Sequence, residues 1–106
     1  MATLYGIDTD RPVTPIIVRE ALVECFYEAH CEDTGFESPD EDSNRAYCTA
    51  LVRKAFSDTG GDFEHPTKDD LMRASEYLVQ FSVNFRDPSI VQAHMKEIQG
   101  LLEKVQ

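Results

Sequence analysis

Positive charge is what this sequence has least of. Ten Lys and Arg stand against 20 Asp and Glu, a formal net charge of -10, and such a balance repels phosphate backbones. Nucleic-acid binding thereby loses its dominant electrostatic term, and anionic membrane surfaces are disfavoured for the same reason. Long apolar runs are missing as well. None approaches the length of a membrane span, and the first residues lack the basic-then-apolar pattern of a signal peptide. The expected partners are proteins, with no nucleic acid and no membrane, and the expected location is the cytoplasm.

Cysteine is sparse and unpatterned: Cys25, Cys31 and Cys48 are odd in number and contain no C-x-x-C spacing. They read as reduced thiols. There is no glycine-rich phosphate loop, since Gly60-Gly61 are not followed by Lys-Ser or Lys-Thr, and no serine elbow. No cofactor is expected. An enzyme acting alone ranks third among the readings, because a bundle of 106 residues offers little cleft.

What is there is helix. The stretch from Thr14 to Gly35 organises the chain. Thr14 can accept from an unpaired N–H as an N-cap, Pro15 suits the first helical position, and Gly35 suits a left-handed stop. At 100° per residue, Ile17, Val18, Ala21, Leu22, Cys25, Phe26 and Ala29 share one broad apolar face. A second apolar stripe, Ile16, Val23 and Tyr27, lies nearly opposite, and Glu20, Glu24 and Glu28 form an acidic ridge between the two. The stripe has two readings. It either packs under another helix or the N-terminal arm, or it forms a homodimer face, since such a patch seldom stays exposed on a monomer.

Three further helices follow. Ser38-Pro39-Asp40-Glu41 has the form of a capping box and opens a helix at about 40–58, which Thr59-Gly60-Gly61 stops. Thr67 caps a helix at 67–85 with Asp70 at its third position, and Ser82-Val83-Asn84-Phe85 makes its last turn weak by propensity. Asp87-Pro88 opens the fourth, at 88–105, with Val91, His94, Met95, Ile98, Leu101, Leu102 and Val105 on one face and Gly100 opposite. Residues 1–13 read as an arm with a short extended piece at Thr3-Leu4-Tyr5, able to fold back onto the bundle. The expected fold is all-α, a compact up-and-down four-helix bundle forming one domain at 14–106, with near-zero sheet. Leu22, Cys25, Phe26, Leu51, Val52, Phe56, Leu78, Phe81, Ile98 and Leu101 are expected to be buried together. Cys31, off the core face and near the helix end, is expected to be the accessible thiol.

The motifs that carry chemistry are incomplete. Asp40 to Asn44 opens like a calcium loop, but Arg45 stands where Gly is needed and Leu51 where Glu is needed. A di-iron bundle site needs Glu-x-x-His, whereas His94-Met95-Lys96-Glu97 runs in the reverse order. Helix–turn–helix is excluded because Asp69 and Asp70 would meet phosphates. Two functions remain. The first is a protein–protein interaction or assembly module, acting as a homodimer through Ile16, Val23 and Tyr27 or through the Glu20, Glu24, Glu28 ridge. The second is a small metal- or cofactor-binding bundle using His30, Cys31, His65 or His94.

Overall fold

Three of the four helices begin where a side chain replaces a missing intrahelical partner. In the computed structural model, which describes residues 3–5, 7–8, 12–34 and 41–105, the first helix, α1, spans Pro15–Thr34. The Thr14 hydroxyl accepts from the Ile17 N–H at 3.3 Å. α2 spans Glu41–Asp58 and ends in a Schellman motif: the Gly61 N–H donates to the Phe56 carbonyl at 2.7 Å and the Gly60 N–H to that of Ser57 at 3.2 Å. Gly60 has φ of 78°, a left-handed conformation that a side chain would strain. The Gly35 stop and the Ser38-Pro39-Asp40-Glu41 box lie outside the described residues.

α3 spans Lys68–Phe81 and opens on a full capping box, Thr67 accepting from the Asp70 N–H and Asp70 from the Thr67 N–H. The weak last turn expected from Ser82-Val83-Asn84-Phe85 is a 3-10 turn at Ser82–Asn84. α4 spans Pro88–Glu103, with Asp87 accepting from the Ser89 N–H and Pro88 in the first turn.

The four helices form an up-and-down bundle. Arg19, early in α1, reaches the Phe63 carbonyl just past α2. Asp58 at the end of α2 accepts from the Tyr77 hydroxyl late in α3, while Asp62 donates to Asp70 near its start. Lys68 at the start of α3 donates to the Val105 carbonyl past α4. Asp33 at the end of α1 accepts from the Arg86 and Asp87 N–H groups ahead of α4. Neighbours in sequence are therefore antiparallel, and α4 closes the square against α1.

Leu22, Cys25, Phe26, Val52, Phe56, Leu78, Ile98 and Leu101 are buried together, while Leu51 and Phe81 are only partly covered. Phe81 instead joins a trio with Phe26 and Phe85 at one end of the bundle, Phe85 meeting the other two rings edge-on. Cys31 departs from expectation: it is only 6% exposed. Near the end of α1 the covered arc is wider than the central one, and Cys31 lies beside the Tyr27 phenol.

The arm forms a small antiparallel hairpin, β1 (Thr3–Leu4) with β2 (Ile7–Asp8), in the register Thr3↔Asp8 and Leu4↔Ile7. Tyr5, in the turn after β1, has φ of 52°, the sign that tight hairpin turns require. The extended piece expected at Thr3-Leu4-Tyr5 is thus strand at Thr3–Leu4, with Tyr5 in the turn that follows.

Candidate functional site

The second stripe of α1 is graded in exposure. Ile16 is 47% exposed, whereas Val23 and Tyr27 are half-buried and pack on the core. The difference comes from α2. Its Arg45 guanidinium lies 4.2 Å from the centre of the Tyr27 ring. Two of its nitrogens bond the Glu24 carboxylate at 2.5 and 3.0 Å, and its Nε bonds Glu41 at 3.2 Å. A planar cation held by a two-pronged ion pair over an aromatic face is well fixed. The Tyr27 phenol is raised to about 12, first by its hydrogen bond with Cys31.

The acidic ridge divides accordingly. Glu20 is exposed, 3.8 Å from Arg19. Glu24 is committed to α2 through Arg45. Glu28 is raised above the ordinary glutamate range, first by partial desolvation and then by the Glu24 carboxylate, with His94 pulling the other way and Glu32 and Glu97 adding smaller pushes upward. The ridge is thus a crossing point to α2 and, one turn later, a crowded carboxylate face.

The four candidate metal ligands are not brought together. His30 packs against Tyr47 and Phe85, with ring centres 5.3 and 6.3 Å away. Cys31 is buried beside Tyr27. His65 lies exposed in the loop between α2 and α3, 3.8 Å from Asp62. His94 is on α4. Among the described residues, no group of three His, Cys, Asp or Glu side chains is placed to hold a metal ion.

His94 belongs to an arrangement that sequence reading missed. The Tyr5 hydroxyl is 2.7 Å from its Nδ1, and its Nε2 is 3.2 Å from Glu32 Oε1. A carboxylate only accepts, so the ring proton sits on Nε2 and Nδ1 accepts from the phenol when the ring is neutral. The Tyr5 and His94 rings are tilted against each other at 5.8 Å. Beneath them lies Cys25, fully buried, its thiol raised to about 12, chiefly by burial. A thiol so placed is a poor nucleophile. Tyr5 is itself raised, first by burial and then by the neighbouring Cys25. The chemistry of this group is that of a clasp, holding the hairpin on the α1–α4 seam above an inert thiol. The separation of 89 positions from Tyr5 to His94 leaves no spacing signal. The available hint was a tyrosine in an arm free to fold back.

Phe63, the expected anchor of the loop after α2, closes the other end. Phe63 packs edge-on against Phe56 at 5.6 Å, with the guanidinium groups of Arg19 and Arg53 at 4.9 and 4.2 Å from its ring centre. No family model, no curated protein and no solved structure matches this chain.

Proposed function

We propose that this chain is a protein–protein interaction module whose contact face is the outer side of α1, and that its partner is a second copy of the chain. The observation that carries this reading is the exposed Ile16 side chain, 47% accessible, continuing along the helix into the half-covered Val23 and Tyr27. An apolar line rimmed by carboxylates and the Arg45 guanidinium has the composition of a small interface: an apolar centre, an aromatic, an arginine and a charged margin. A two-fold axis would set identical lines against each other in one self-complementary contact. The charge of -10 opposes association, but salt screens surface repulsion over roughly 8–10 Å while apolar contact persists.

Light scattering at tens of micromolar and moderate salt tests this. The expected mass is that of a dimer, reduced to a monomer by Ile16→Glu with the helical circular dichroism unchanged. Val23→Glu and Tyr27→Glu should also dissociate it, but Ile16 is the cleaner probe because it is the least engaged with the core. A monomeric wild type removes the reading.

A further inference from the structure

On the side of the square away from the α1–α2 seam, α3 and α4 leave a groove of about 380 Å³. That volume lies in the range of roughly 300–1,000 Å³ typical of small-ligand sites. Met72, 45% exposed, and the nearly buried Leu102 give it an apolar lining. Ser75 lines it as well. This serine is 2% exposed and its hydroxyl has no hydrogen-bond partner. Such an orphan is unusual, because a helical serine ordinarily returns its proton to the carbonyl one turn back. Glu76 and Glu103 line the same groove and are exposed, and neither forms an ion pair with a described residue. The groove also holds one cation: Lys68 Nζ donates to the Val105 carbonyl at 3.2 Å and keeps its charge. Two carboxylates against one ammonium leave the groove negative on balance.

We propose that this groove binds a small amphipathic organic cation, an alkylammonium in chemical class. The alkyl chain lies on Met72 and Leu102, and the ammonium sits between Glu76 and Glu103. Met72 is long, flexible and half-exposed, so it can move aside to admit the ligand. The Ser75 oxygen then accepts one of the ammonium protons. A carboxylate ligand would meet two like charges against the single Lys68 ammonium; a neutral alcohol would lose the ion pairs.

The test is a two-dimensional NMR titration of the isotopically labelled full chain with hexylammonium chloride, and separately with sodium hexanoate. Hexylammonium should give saturable shifts in the amides of residues 68–76 and 99–103, and hexanoate none there. Glu76→Gln and Glu103→Gln should each weaken binding about two- to fivefold, the range of an exposed ion pair, and Ser75→Ala should weaken it too. Glu20→Gln on α1 should leave it unchanged. Shifts that fail to saturate, that spread over the acidic surface, that hexanoate reproduces, or that survive both glutamine substitutions would overturn the site.

Discussion

Asp70 ties the turn after α2 to the start of α3. Its carboxylate accepts from the Thr67 N–H at 3.1 Å and the Asp62 N–H at 3.3 Å, and it pairs with Arg73 at 2.7 Å. These bonds, the Thr67 one foremost, hold it below the ordinary aspartate value of 3.8 against the cost of its burial. A depressed carboxyl stabilises the fold above its unfolded value, and that contribution is lost as pH falls through the lower folded value. Asp70→Ala should therefore cost about 1–3 kcal/mol at pH 7. In urea titrations the gap to the wild type should close in acid below the folded value; a pH-independent gap would mean that the charge is immaterial. Glu28 has the opposite sign. Its carboxyl is raised by desolvation and neighbouring carboxylates, so its ionisation opposes folding at neutral pH. Glu28→Gln should raise the melting temperature at pH 7, and the gain should vanish as pH falls below the ordinary glutamate range.

Helix ends were legible in the sequence because their chemistry is local. Thr14, Thr67 and Asp87 each satisfy an N–H within three residues, so cap and apolar period identify them without knowledge of the fold. Two glycines turn that legibility into a measurement. Gly60 has the left-handed φ of the α2 stop, so Gly60→Ala should cost about 1 kcal/mol. Gly100 is inside α4, exposed, with open space where a Cβ would be. Gly100→Ala should stabilise by about 1 kcal/mol. Thermal unfolding of the two variants should move in opposite directions; shifts of the same sign would contradict the assigned geometry. The misjudged positions depend on a neighbouring element. Periodicity places Cys31 off the central face of α1, yet the side of the helix it occupies is covered near the bundle's end. Arg45 entered the sequence reading only as a misfit in a calcium loop, and its contacts with Glu24 and Tyr27 exist only once α2 lies across α1.

The bundle's square closes by two contacts far apart in sequence. Asp33 of α1 accepts from the N–H groups of Arg86 and Asp87 ahead of α4, and the Tyr5 clasp spans the same α1–α4 seam through His94 and Glu32. Either protonation state of His94 keeps the clasp, since Nδ1 accepts from the phenol when neutral and donates to it when charged. Cys25 is under the clasp, whereas Cys48 is in the core on α2, raised to about 12 mainly by burial. The two thiols therefore report different openings of one molecule. Native protein should label slowly at Cys25, Cys31 and Cys48 alike, through rare unfolding rather than direct access. Tyr5→Phe removes the hydroxyl but keeps the ring. It should cost about 0.5–1.5 kcal/mol and leave the order of labelling nearly unchanged. Tyr5→Ala removes the stack on His94 as well and uncovers the seam, so Cys25 should become the fastest thiol while Cys48 stays protected. Mass-spectrometric mapping of maleimide adducts against time separates the outcomes. Equal acceleration of Cys25 and Cys48 would mean that the arm stabilises the whole bundle instead of covering one seam. Fast labelling of Cys31 in the wild type would mean that the end of α1 is open after all.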